Sequence, residues 1–85
     1  MQTFEHTIKD PHGMHARPAG LLVKETSKYK SIITFVKDDK EADAKRIFSI
    51  MGLGLKCAQT LTVKIEGDDE ETASQNLKKF MDENI

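Results

Sequence analysis

Tryptophan is absent, cysteine occurs once and proline twice in 85 residues. Cys57 has no second cysteine to pair with, so no disulfide can reinforce the modest core that so short a chain buries. A lone thiol fits a reducing compartment better than an oxidising one and points to the cytoplasm. Long apolar runs are missing as well: Ile32-Ile33-Thr34-Phe35-Val36 is far below the roughly 20 residues of a membrane helix. The opening Met1-Gln2-Thr3-Phe4-Glu5-His6 lacks the basic and then apolar segments of a signal peptide. Neither sign of charge dominates. Thirteen basic and 14 acidic residues give a net charge of −1, which argues against a nucleic-acid partner, as the missing apolar run argues against membrane insertion. What remains, 38% hydrophobic and 32% charged, is the composition of a folded chain, and the length suits one domain over residues 1–85.

Periodicity supplies the elements. Phe4, His6 and Ile8 alternate with Thr3, Glu5 and Thr7, the pattern of a half-buried strand that places His6 on the apolar side. Asp10-Pro11-His12-Gly13 is turn chemistry, with φ fixed at Pro11 and positive φ open to Gly13. Ala19, Leu22, Val23 and Thr26 then recur at helical spacing, and Pro18, tolerated only in a first turn, sets the helix start at Ala16 or Arg17. A strand over Ile32–Val36, with Ile33 and Phe35 inward, turns at Asp38-Asp39 into a short return strand over Glu41–Ala44. Ile47–Leu53 reads as a short helix ended by Gly52 and Gly54. Leu61, Val63 and Ile65 mark the clearest strand. Asp68 or Asp69 is expected to cap a last helix with Ala73, Leu77, Phe80 and Met81 inward. The order β-α-β-β-α-β-α predicts a two-layer sandwich, helices covering one sheet face and the other face wet.

Chemistry concentrates in Gly13-Met14-His15-Ala16-Arg17-Pro18. The first N–H groups of a helix lack intrahelical partners, and the macrodipole adds roughly half a positive charge there, so a helix start accepts phosphate. Arg17 adds a planar guanidinium suited to phosphate oxygens. The same positive end favours the uncharged imidazole of His15, the form able to act as a nucleophile. A histidine at a helix start is as often a polar cap or turn residue, and these residues alone leave both readings open. His12 and His15, with Asp10 nearby, are spaced as a metal pair, but zinc sites normally use three or four protein ligands, so no metal and no cofactor are expected.

Gly13-Met14-His15-Ala16-Arg17-Pro18-Ala19 resembles the active-site signature of the HPr family, the histidine-containing phosphocarriers of the bacterial phosphoenolpyruvate:sugar phosphotransferase system. Ile47-Phe48-Ser49-Ile50-Met51-Gly52-Leu53-Gly54-Leu55 resembles that family's short second helix and the Leu-Gly after it. The likeness spans essentially the whole chain. It implies an α+β fold, an open-faced β-sandwich whose four-stranded antiparallel sheet is covered on one face by three helices. It also implies a cytoplasmic, monomeric carrier, not a multiple-turnover enzyme. Enzyme I, drawing on phosphoenolpyruvate, would phosphorylate Nδ1 of His15, and the group would pass to enzyme IIA domains in transient encounters with small interfaces. By the same resemblance Arg17 is the phosphate partner, and Ala16 and Arg17 supply helix-end N–H donors. The docking patch maps to Ala16, Gly20, Ile47, Phe48 and Met51, with Lys24 at the rim; Ile47 and Phe48 can equally be read as core.

Several positions depart from the family. His12 replaces a small polar residue, which adds an imidazole able to bind phosphate, compete for it or do nothing. Gly20 replaces alanine or threonine, and Asp38-Asp39 a glycine-containing turn. Many Gram-positive members carry a kinase-regulated serine just before the short helix; here that position is Arg46, while Ser49, three residues later, repeats the serine's local motif. Serine regulation is therefore not expected. Three competing functions are a paralogue in a regulatory, for example nitrogen-related, phosphorelay, a binding module without transfer, and a metal-binding regulator using His12 and His15.

Overall fold

The computed structural model describes residues 1–85. Seven elements follow in the expected order: β1 (Gln2–Thr7), α1 (Ala16–Thr26), β2 (Ile32–Lys37), β3 (Lys40–Asp43), α2 (Ile47–Met51), β4 (Thr60–Glu66) and α3 (Glu70–Asn84). All strand pairs are antiparallel, in the order β1-β4-β2-β3. Register follows the period-two pattern: Phe4 lies opposite Val63, Val63 opposite Phe35, and Phe35 opposite Ala42. This apolar row faces the helices, while Glu5, Thr62 and Val36 form its counterpart on the open face. The fold is an α+β open-faced sandwich.

Eighteen buried apolar residues form one core, with Phe35, Val63, Leu22, Ile50, Leu77 and Met81 joining the sheet to all three helices. The inward stripe of α1 is as read: Ala19, Leu22 and Thr26 are buried and Val23 packs against the core. Thr26 is polar, but its hydroxyl donates to the Ala44 carbonyl at 2.8 Å, which removes the cost of burying it. The β2–β3 turn forms without glycine because Asp38 takes φ 55°, a conformation aspartate tolerates better than most residues.

One local expectation is corrected. Asp69 occupies the N-cap position of α3, yet its side chain makes no cap hydrogen bond. Its carboxylate instead accepts the Lys30 and Ser31 N–H groups, at 2.9 and 3.0 Å, and the Ser31 hydroxyl. A loop 38 residues away offers three donors together, against the one or two of a capping arrangement. Those hydrogen bonds hold the Asp69 carboxyl below its ordinary range, the Ser31 hydroxyl contributing most.

Candidate functional site

The loop ahead of α1 is fastened on three sides. Asp10 Oδ1 accepts the His12 N–H at 2.9 Å, and the Asp10 carbonyl accepts the Gly13 N–H at 2.9 Å, which closes the turn. The Lys9 and Asp10 N–H groups donate to the Ile85 main-chain oxygen at 2.8 and 3.1 Å. Met14, buried, donates its N–H to the Leu55 carbonyl at 2.8 Å. Gly13 takes φ 70°, and a Cβ there would lie 2.5 Å from the Leu55 oxygen, so both conformation and space require glycine.

His15 is the N-cap residue of α1. Its carbonyl accepts the Ala19 N–H at 3.0 Å, but its ring makes no cap hydrogen bond. The ring is therefore not spent on the helix, and its side chain is 40% exposed. The Ala16 and Arg17 N–H groups have no acceptor, Pro18 has none to offer, and no acidic residue stands in the first turn to neutralise this end. Arg17 is exposed and in no ion pair or hydrogen bond, so its guanidinium is available to an anion. His12, also exposed, meets His15 edge to face, ring centroids 5.9 Å apart at 89°.

Asp10, read from sequence as turn chemistry, proves to face the ring: its Oδ2 lies 3.5 Å from His15 Nε2. The His12 N–H holds its carboxyl below the ordinary range, and His15 adds to that effect. No three His, Cys, Asp or Glu side chains converge as a metal-binding group, so Asp10, His12 and His15 do not form one. The largest hollow, lined by Lys9, Asp10, Pro11 and Asp82 to Ile85, does not include His15, whose ring stands at open surface. This geometry allows an imidazole to attack a phosphorus atom while helix-end amides and a guanidinium take up the charge on its oxygens.

An apolar surface is shared by α1, whose N-cap is His15, and α2. Phe48 is 83% exposed, so the core reading fails for it; Ile47 and Met51 are half-buried and packed against the core. Ala16 and Lys24 are exposed and Gly20 is half-buried. A Cβ on Gly20 would lie 3.8 Å from Ile47 Cδ1, which shows how closely α1 and α2 approach. Leu21, 40% exposed, joins this surface and was missed. Its signal was present: Arg17, Gly20, Leu21 and Lys24 are spaced i, i+3, i+4 and i+7, the outward stripe of α1. Arg46 sits at the N-cap of α2, exposed and 3.6 Å from Asp43, whereas Ser49 lies inside the helix, half-buried.

The family model described as "PTS HPr component phosphorylation site" matches residues 2–83. The chain belongs to the HPr family. A phosphocarrier protein HPr of Mycoplasma genitalium is 40% identical over 85 residues, covering 99% of this chain and 97% of the relative. The crystal structure of HPr-C-His from Thermoanaerobacter tengcongensis superposes with a TM-score of 0.93 at 39% identity, covering 99% of this chain and 94% of the other. An HPr-like protein Crh of Halalkalibacterium halodurans is 37% identical over 75 residues, 88% of this chain and 89% of the relative. Membership makes the chain a phosphocarrier of the phosphotransferase system. No helix is long and apolar enough to cross a membrane.

Proposed function

We propose that His15 is the phosphoryl acceptor, taking the group on Nδ1 from enzyme I and passing it to enzyme IIA domains. The reading rests on one observation: a half-exposed imidazole at a helix N-cap, not used as a cap, beside two unpaired N–H groups and an unpaired guanidinium. The Nδ1 lone pair forms the N–P bond as the donor's bond to phosphorus breaks. Ala16 and Arg17 N–H groups, the Arg17 guanidinium and the His12 ring hold the oxygens. An open surface suits a carrier, because two successive partners must reach the same atom, and a deep pocket would bar them. Ala16, Gly20, Leu21, Ile47, Phe48 and Met51, with Lys24 at the rim, form the shared docking patch. The working form is a cytoplasmic monomer meeting each partner transiently.

Incubation with phosphoenolpyruvate, magnesium and a bacterial enzyme I, followed by intact mass, tests the assignment. One acid-labile, alkali-stable phosphoryl group per chain is expected, and none on His15→Ala. Label persisting in that variant, on His12 or His6, refutes it.

Serine regulation is absent in this reading. Arg46 carries a fixed positive charge where other members carry a hydroxyl, and Ser49 lies inside α2, half-buried. Treatment with ATP and a bifunctional HPr kinase/phosphorylase is expected to leave the chain unmodified; stoichiometric phosphate on Ser49 overturns this.

A further inference from the structure

Asp10 links the main chain to the reactive ring. One carboxylate oxygen is committed to the His12 N–H at 2.9 Å, and the other stands 3.5 Å from His15 Nε2. Its own backbone is held by the Ile85 oxygen on one side and the Gly13 N–H on the other. The carboxylate therefore cannot swing from the ring without opening the turn.

A neutral imidazole has one proton to place on two nitrogens, and an ionised carboxylate only accepts. Asp10 favours the proton on Nε2, which leaves the lone pair on Nδ1. The 3.5 Å separation exceeds that of a formed N–H···O bond, as is common for catalytic contacts before the reacting partner arrives. Resting on the reading of His15 as acceptor, we propose that Asp10 is its positioning residue: it selects the tautomer with Nδ1 free and faces the positive charge that the ring acquires on phosphorylation. As Nδ1 bonds to phosphorus and the donor's bond to phosphorus breaks, Nε2 keeps its proton, so no proton has to leave. The ring is then cationic, a good leaving group for the onward step, and Asp10 lies against the nitrogen that carries the proton.

Asp10→Asn is the discriminating variant. Its Oδ1 keeps the His12 N–H, so the amide NH2 is presented to Nε2 and donates to it. That moves the ring proton to Nδ1 and blocks the nucleophile. Nitrogen-15 NMR of ring-labelled histidine reads the tautomer on the unphosphorylated chain, without any partner. The wild type is expected to carry the His15 proton on Nε2 and Asp10→Asn to shift it towards Nδ1, with an unchanged melting temperature. Uptake from phosphorylated enzyme I should slow at least about tenfold, well short of the ~10⁴ loss when the same exchange misplaces the proton in a buried Ser-His-Asp triad. Asp10→Ser, which keeps a turn acceptor without a carboxylate, should slow less than Asp10→Asn. An unchanged tautomer in Asp10→Asn, whatever the rate, overturns the role of Asp10 while His15→Ala still reports on the acceptor. Phosphate on another residue of the wild type overturns both readings.

Discussion

The N–H of Met14 donates to the carbonyl of Leu55 at 2.8 Å, which ties the turn ahead of His15 to the chain leaving α2. The loop before His15 and the chain after α2 are thereby held to one another, and Gly13 is what lets the two stretches of chain come so close. Gly13→Ala places a methyl group 2.5 Å from the Leu55 oxygen at φ 70°, so a loss of at least about 2 kcal/mol is expected. Gly20→Ala should do the opposite: its methyl group meets only Ile47 Cδ1 at 3.8 Å, and up to about 1 kcal/mol of stability should be gained. Thermal denaturation of the two variants checks both signs.

Arg17 separates transfer from folding. Its side chain is exposed and pairs with nothing, so Arg17→Ala should change stability by less than about 0.5 kcal/mol. A charge-assisted contact to phosphate is stronger, roughly 1.5–3 kcal/mol. Phosphoryl transfer should fall by at least about tenfold while the melting temperature stays put. A large drop in melting temperature would show Arg17 to be structural.

Phe48 projects into solvent at 83% exposure from α2, and an exposed aromatic is what a partner of a carrier can grip. Truncating an aromatic anchor at an interface centre costs at least about 2 kcal/mol. Phe48→Ala should therefore raise the enzyme I KM for this carrier by more than about tenfold and leave folding intact. An unchanged KM would remove Phe48 from the docking surface.

His6 makes stability depend on pH. The ring is buried, Nε2 has no partner, and Asp82 stands 3.4 Å from Nδ1. Burial pushes its pKa below the ordinary 6.5; Asp82 opposes this, and Lys9 and Lys78 add a little to it. In the pH interval below 6.5 the unfolded chain binds a proton that the folded chain refuses. The contribution is thus fully present above 6.5 and is lost as pH falls through the folded value. Asp10, Asp69 and Glu70, whose carboxyls lie below their ordinary values, lose theirs only in stronger acid. His6→Leu should flatten the urea midpoint against pH just below 6.5. A profile parallel to the wild type would exclude His6 as the cause.

Legibility in the sequence followed the length of each pattern. Seven residues of alternation around Val63 were enough to fix the β4 face, and the i, i+3, i+4, i+7 stripe fixed the buried side of α1. In α2, five residues long, Ile47, Phe48, Ile50 and Met51 are apolar on every side, so periodicity could not tell buried Ile50 from exposed Phe48. The cap expected of Asp69 failed, and the turn role of Asp10 held but was incomplete, for another reason. Each sat where local rules predict a local role, and each carboxylate was drawn to donors or a ring brought near by the fold. The His15 region itself was legible because helix start, proline and guanidinium are all written within a few residues.

The sheet order has a consequence for the birth of the molecule. β1 and β2 never touch; β4, built from Thr60 to Glu66, lies between them. A ribosome that has not yet released Glu66 holds a chain whose first strand has no neighbour to pair with. The Leu55 and Ile85 anchors of the His15 loop also arrive late, 41 and 75 residues after Met14 and Asp10, which they hold. Pairings so distant in sequence form slowly, because the intervening loop must close before any contact rewards it. A nascent chain carries His15 long before it carries the strand and the anchors that hold its loop in place.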